Sequence, residues 1–110
     1  MQYCEDIITG IDGSEATFVR YVLDNSEEID PKRQRPSVLV IPGGGYAMTS
    51  DREAEPIALK MLAFGFHAFI LRYSVAPSRY PVALLEAAEA MRLIRVHADE
   101  WHVDPHAIVV

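Results

Sequence analysis

A short, uninterrupted apolar segment constrains the fold of this chain more than any other feature. Residues 38–41 are Val-Leu-Val-Ile, with no polar alternation, and the segment lies between Pro36 and Pro42. Such a run is typical of a strand buried on both faces, as in a parallel sheet covered by helices. Three consecutive glycines at positions 43–45 then end the strand. We therefore predict an α/β fold in which a central strand leads into a tight glycine turn.

The segments around this strand predict alternating strands and helices. Strands are expected at residues 16–23, 38–41, 66–73 and 106–110, from their β-branched and apolar residues. One helix is expected to begin near Ala54 and a second is expected to begin at Pro81. Strand–helix–strand crossovers of this kind give a mostly parallel sheet flanked by helices, with right-handed connections.

The spacing of apolar residues predicts which face of each helix is buried. For the first helix the expected face consists of Ala54, Ile57, Ala58, Met61 and Leu62. Gly65 is expected to cap its C-terminus, and Asp51, Arg52 and Glu53 to form a charged set at its start. For the second helix the expected buried face consists of Leu84, Ala88, Met91, Ile94 and Ala98, whereas Glu86, Glu89 and Arg92 are expected to face elsewhere.

Composition narrows the classes of partner. The formal net charge is −6 at pH 7, which disfavours binding to nucleic acid, because such binding depends on Lys and Arg at the phosphates. Cys4 is the single cysteine, so neither an internal disulfide nor a cysteine zinc site is expected. No apolar stretch approaches membrane-spanning length, so we expect no membrane partner and a cytoplasmic location.

The glycine turn is the strongest local indication of chemistry. Successive backbone N–H groups in such a turn can bind an anion or a developing oxyanion. A dinucleotide fingerprint would need a third glycine where Met48 stands, and no Gly-Lys-Ser/Thr follows for a P-loop. A nucleotide-binding module is therefore a weak alternative, and a flexible loop without function is another. Acyl transfer is the third interpretation.

From about Pro36 to Val110 the chain resembles the α/β-hydrolase esterases and lipases, in particular their acetyl-xylan-esterase-like and hormone-sensitive-lipase-like branches. The resemblance rests on the order and spacing of five segments: Pro-Gly-Gly-Gly-Tyr at 42–46, Ser-Asp-Arg-Glu-Ala-Glu-Pro at 50–56, Leu-Arg-Tyr-Ser-Val-Ala-Pro at 71–77, Tyr-Pro at 80–81 and Val-Asp-Pro at 103–105. The sequence differs from the His-Gly-Gly-Gly form of the loop in having Pro42 before the glycines.

This resemblance implies a serine carboxylesterase that acts on a small-molecule ester, including esters of carbohydrates, without cofactor or metal. It implies that Gly44 and Gly45 donate backbone N–H groups to the oxyanion, while Gly43 allows the turn. Two roles are open for Tyr46: contact with the substrate in the acyl pocket, or packing as a structural aromatic residue. A β-branched side chain at Gly44 is expected to crowd the oxyanion position.

The nucleophile, the acid and the histidine of a catalytic triad are not expected within these 110 residues. None of the six serines has a Gly-x-Ser-x-Gly setting. In the family the nucleophile follows the strand that corresponds to 106–110. We therefore expect residues 1–110 to be the N-terminal part of a single α/β-hydrolase domain, with an uncovered strand that promotes self-association. A non-catalytic fragment or assembly protein from a split gene is the alternative.

The four histidines are interpreted as structural. His67 begins a predicted strand, where a packed histidine is more common than a catalytic one. His97, His102 and His106 lie around Trp101 without a carboxylate at matching spacing, so no metal site is predicted.

Overall fold

A single five-stranded sheet organises the computed structural model, which describes residues 1–110. Its strands are β1 (Gln2–Thr9), β2 (Glu15–Val22), β3 (Arg35–Val40), β4 (His67–Arg72) and β5 (Val103–Val109). The helices are α1 (Glu55–Ala63), α2 (Val82–Val96) and α3 (Ala98–Trp101), with a short 3-10 turn at Asp51–Glu53. Across the sheet the order is β1-β2-β4-β3-β5.

The pairing of β3 confirms the predicted centre of the fold. This strand pairs in parallel with β4 on one side and with β5 on the other. The first two strands make the sheet mixed, because β1 pairs antiparallel with β2, and β2 pairs antiparallel with β4. Sequence reasoning did not find β1, most of whose residues are exposed and which has a single buried side chain, Ile8.

Helices on both faces of the sheet explain why residues 38–41 do not alternate. Val38 and Val40 pack in the cluster that includes Ala58 of α1. Leu39 points the other way and packs in a second cluster, which includes Ile94 of α2. Because successive strand side chains point to opposite faces, Val38, Leu39 and Val40 are all buried and all apolar. Ile41, the last residue of the predicted run, lies beyond β3 and is 39% exposed.

The predicted buried face of α2 is only partly correct: Ile94 and Ala98 are buried and Met91 packs against the core, but Leu84 is 58% exposed and Ala88 is exposed as well. The buried residues of the helix are Val82, Glu86, Ala90 and Ile94. Glu86 is 1% exposed because its carboxylate accepts hydrogen bonds from Ser74, at 2.7 Å from the backbone N–H and 2.6 Å from the hydroxyl. These bonds replace the water that a carboxylate otherwise requires.

The structure of α1 confirms only part of what the sequence predicted for this helix. Gly65, at φ +88°, caps the helix as predicted, since its N–H donates to Leu62 O and the N–H of Phe66 donates to Met61 O. The three charged residues before the helix form the separate 3-10 turn, and Ile57 is 43% exposed rather than buried. The rest of the predicted face is confirmed, because Ala54 and Ala58 are buried and Met61 and Leu62 pack against the same cluster.

The last strand begins earlier than predicted. β5 starts at Val103 rather than at residue 106, and it continues through Pro105. Its pairing with β3 is irregular between the partners Arg35↔Val103 and Ser37↔Ile108. A proline is tolerated there because β5 lies at the edge of the sheet and its ladder is already interrupted.

Candidate active site

The glycine loop, residues 42–46, lies directly after β3. It therefore stands at the carboxyl end of the parallel part of the sheet, formed by β3, β4 and β5. In open α/β sheets ligands bind beyond this end of the strands. Helix α1 begins only at Glu55, so its N-terminus does not open from the loop as a phosphate-binding helix would.

Hydrogen bonds to two carbonyl groups orient the loop. The Ser50 N–H donates to Gly43 O at 2.9 Å, and the Ala47 N–H donates to Gly44 O at 3.2 Å. In a trans peptide the N–H of the next residue points opposite to the carbonyl. The N–H groups of Gly44 and Gly45 are thereby directed away from these bonds, and neither donates to another protein group. Both residues are exposed.

At position 44 the loop has no room for a side chain. A Cβ atom at this position would lie 2.1 Å from the carbonyl oxygen of Met48, a backbone atom that cannot move aside alone. Gly45 needs its freedom for a different reason, since it has φ +64° while a Cβ there would meet open space. The expected crowding at Gly44 is therefore already severe for alanine, and it arises within the loop itself.

Tyr46 follows with a left-handed backbone, at φ 60°, which costs a non-glycine residue about 1–2 kcal/mol. Two contacts hold it in place. Its carbonyl accepts the N–H of Ala76 at 2.7 Å, and its ring packs edge-on against Tyr73, with 5.9 Å between the centroids. The loop is thus attached to the segment that follows β4.

A cavity of about 530 Å³ opens beside the loop. Tyr46 lines it, and so does Tyr73, whose phenol pKa is raised by burial. Most of its lining is apolar, with the polar groups supplied by Tyr46, Tyr73, Ser74, Ser78, Arg79 and Tyr80. A concave apolar site with a few polar groups is suited to a small organic ligand.

Two carboxylates that the sequence did not indicate fix the wall of this cavity. The Glu86 carboxylate accepts the two hydrogen bonds from Ser74 described above. Asp12 holds Ser14 and accepts the Ser78 hydroxyl at 2.9 Å, and the hydrogen bonds from Ser14 lower the pKa of its carboxyl. A carboxylate in a helix pattern or a turn gives no sequence signal for such long-range bonds.

The histidines lie elsewhere. His67 is fully buried, and burial lowers its pKa to about 4. His97 stacks on Trp101, with ring centroids 4.6 Å apart, and pairs with Glu100 at 2.8 Å. His106 lies exposed in β5. No serine hydroxyl is hydrogen-bonded to a histidine, and no histidine lines the cavity beside the glycine loop.

None of the helices combines the length and apolarity that crossing a membrane would require.

Comparison with solved structures identifies the fold. An α/β-hydrolase enzyme from a Medee basin deep-sea metagenome library is 41% identical, with a TM-score of 0.85 over 96% of this chain and 44% of its own. The acetyl ester-xyloside bifunctional hydrolase of Caldicellulosiruptor lactoaceticus is 37% identical, with a TM-score of 0.78 over 86% of this chain and 33% of its own. A carboxylesterase of Lactobacillus plantarum WCFS1 is 29% identical, with a TM-score of 0.88 over 98% and 40%.

A curated relative matches a shorter part of the chain. Endo-1,4-beta-xylanase B of Butyrivibrio fibrisolvens is 35% identical over 83 residues, which are 70% of this chain and 13% of the xylanase. No protein-family model matches the chain. The chain thus spans less than half the length of the solved structures it matches and a small part of the xylanase.

These likenesses define the class of protein: the chain has part of the α/β-hydrolase fold. Within that fold its similarity is to the esterases, so the predicted resemblance to the α/β-hydrolase esterase and lipase family is confirmed.

Proposed function

We propose that the chain is the N-terminal part of one α/β-hydrolase domain, and that the whole protein hydrolyses carboxylic esters with a serine nucleophile. The observation that carries this proposal is that the N–H groups of the exposed residues Gly44 and Gly45 have no protein partner. They lie at the end of the sheet where ligands bind, in a chain whose structural relatives are esterases. The residues of the triad belong to sequence outside these 110 residues.

In the proposed reaction the serine hydroxyl attacks the ester carbonyl carbon, and a histidine takes its proton. The carbonyl oxygen becomes an oxyanion, to which Gly44 and Gly45 donate hydrogen bonds. The alcohol leaves with the proton from the histidine, and water then hydrolyses the acyl-serine. Gly43 contributes only its carbonyl, which Ser50 binds. Because neither donor is bonded to another protein group, neither has to break an internal hydrogen bond as the charge develops.

The cavity beside the loop supports a small-molecule ester as substrate, with Tyr46 contacting it. Esters of carbohydrates are the substrates we favour, since one structural relative is named an acetyl ester-xyloside hydrolase and the curated relative is a xylanase. The reaction as proposed uses neither a cofactor nor a metal.

A fluorophosphonate probe, which reacts only with an activated serine, tests the proposal. We expect no labelling of residues 1–110 alone. A chain extended by the coding sequence beyond codon 110 should be labelled at a serine within about five residues of Val110, as in a strand–turn–helix elbow. Labelling at one of the six serines present here would overturn the site assignment. An extended chain that is not labelled, or an immediate stop codon, would instead favour a non-catalytic assembly protein.

We also propose that the 110-residue chain self-associates. β5 is an edge strand, and Val109 and Val110 at its end are 53% and 70% exposed. An open strand edge with apolar side chains is a known route to association. Sedimentation velocity of residues 1–110 should show species larger than the monomer, whereas a single monomeric species with a cooperative melt would contradict the proposal.

A further inference from the structure

We infer that Arg72 is a positioning residue that holds the Gly43–Gly44 peptide in its donor orientation. The inference rests on the proposed function of the glycine loop. Arg72 is the last residue of β4, and β4 is the parallel neighbour of β3. Its side chain thus starts beside the strand from which the loop emerges.

The guanidinium group binds the segment after the loop at two residues. Nη1 donates to both the carbonyl oxygen and the hydroxyl of Thr49, each at 3.1 Å, and Nη2 pairs with the Asp51 carboxylate at 2.9 Å. An arginine can make these bonds together because its donors are fixed in one plane. A lysine ammonium lacks that planar arrangement.

Ser50 connects this anchor to the donor groups. It lies between the two residues that Arg72 holds, is 3% exposed, and donates its N–H to Gly43 O at 2.9 Å. The Gly43 carbonyl and the Gly44 N–H belong to one planar peptide, so the bond at one end sets the direction of the other. The other two anchors of the loop, from Ala47 and Ala76, act on different peptide units. Arg72 is therefore the long-range side chain that acts on the Gly43–Gly44 peptide.

The exposures of the partners predict which bond matters more. The Asp51 side chain is 93% exposed, and an ion pair with so exposed a carboxylate contributes little. Thr49 is partly buried and offers a backbone oxygen, which no side-chain substitution removes. Loss of Arg72 should therefore have a larger effect than loss of Asp51.

The test compares Arg72→Met with Arg92→Met in the extended chain. Arg92 is a matched control, because it also binds a carboxylate with two nitrogens, at 2.9 and 2.6 Å to Glu89, but on the exposed side of α2. We expect Arg72→Met to lower kcat for p-nitrophenyl acetate about ten- to a hundredfold with KM changed less than about twofold. Arg92→Met should change neither constant. Arg72→Lys should recover only part of the loss, and Asp51→Asn should have a small effect.

Amide hydrogen exchange provides a readout that does not depend on activity. We expect the Ser50 amide to exchange faster in Arg72→Met and unchanged in Arg92→Met. If Arg72→Met fails to fold, Thr49→Val removes one acceptor of the same anchor and should give a smaller loss in kcat. A normal kcat in either folded variant, or a change in KM alone, would overturn the inference. If the parent hydrolyses no ester, the proposed function fails, whereas the exchange of Ser50 still decides the role of Arg72.

Discussion

The two ends of the parallel strands differ in how far their polar groups are buried. At the amino end, His67 begins β4, and its Nδ1 accepts the N–H of Leu23 at 3.0 Å while its Nε2 donates to His102 O at 3.1 Å. At the carboxyl end, the N–H groups of Gly44 and Gly45 have no protein partner. Both ends depend on hydrogen bonds that span long stretches of sequence. Both also leave polar groups without a partner, but Arg35 Nε and Ser37 Oγ near the amino end are buried, whereas Gly44 and Gly45 are exposed.

This difference separates stability from function. A buried polar group without a partner costs free energy, so the two hydrogen bonds of the buried His67 ring contribute to the stability of the amino end. The exposed N–H groups of the glycine loop carry little such cost, because water can bind them until a ligand does. We therefore expect changes at the amino end to affect unfolding and changes at the carboxyl end to affect turnover.

The largest expected effect is that of Gly44→Ala in the extended chain. The new Cβ would lie 2.1 Å from Met48 O, so the loop must move and the donors lose their alignment. Loss of one oxyanion donor typically lowers kcat about a hundred- to a thousandfold, and we expect a loss of this order for p-nitrophenyl acetate. Thermal unfolding should change much less, because the loop is exposed.

Gly45→Ala is the matched control in the same loop. Its Cβ would meet open space, so the variant keeps its N–H and has only the cost of a left-handed alanine, about 1–2 kcal/mol. We expect its kcat to stay within about tenfold of the parent. Wild-type turnover in Gly44→Ala, or an equal loss in both variants, would contradict the importance of the contact with Met48.

The central part of the fold could be predicted from sequence because its signals are local. The apolar run at 38–41 indicated a strand buried on both faces, and the glycines after it indicated a turn with free N–H groups. Both follow from the chemistry of a few adjacent residues. The parallel pairing of β3 with β4 and β5 agrees with the central strand and the strand–helix–strand crossovers predicted from the sequence.

The roles of Glu86 and Arg72 could not be predicted from the sequence, because they depend on hydrogen-bond partners that are distant along the chain. Glu86 was expected to face solvent, since a charged residue in a helix usually does, but Ser74 satisfies its carboxylate. Arg72 was noted only as part of a motif, and its bonds reach back to Thr49 and Asp51. β1 was missed because its mostly exposed residues show no apolar pattern.

A smaller effect than that of Gly44→Ala is expected at the amino end, where the free energy of unfolding should depend on pH through His67. Burial lowers the pKa of His67 from 6.5 to about 4, with Arg35 and His102 also opposing its protonation and the hydrogen bond to His102 O acting the other way. The unfolded chain therefore binds a proton at a higher pH than the folded one, and stability rises with pH between these values. The contribution is complete above pH 6.5 and is lost as the pH falls towards 4.

At one pKa unit per 1.4 kcal/mol, this histidine accounts for up to about 3 kcal/mol between the two ends of that range. Urea unfolding of the extended chain at pH 7 and pH 4.5 measures it. His67→Gln is the control, because glutamine does not titrate and every carboxyl group is retained. We expect the parent to lose more stability than His67→Gln over this interval, while kcat measured at pH 7 is similar in both. Equal losses in parent and variant would show that His67 is not the group that makes the amino end sensitive to acid.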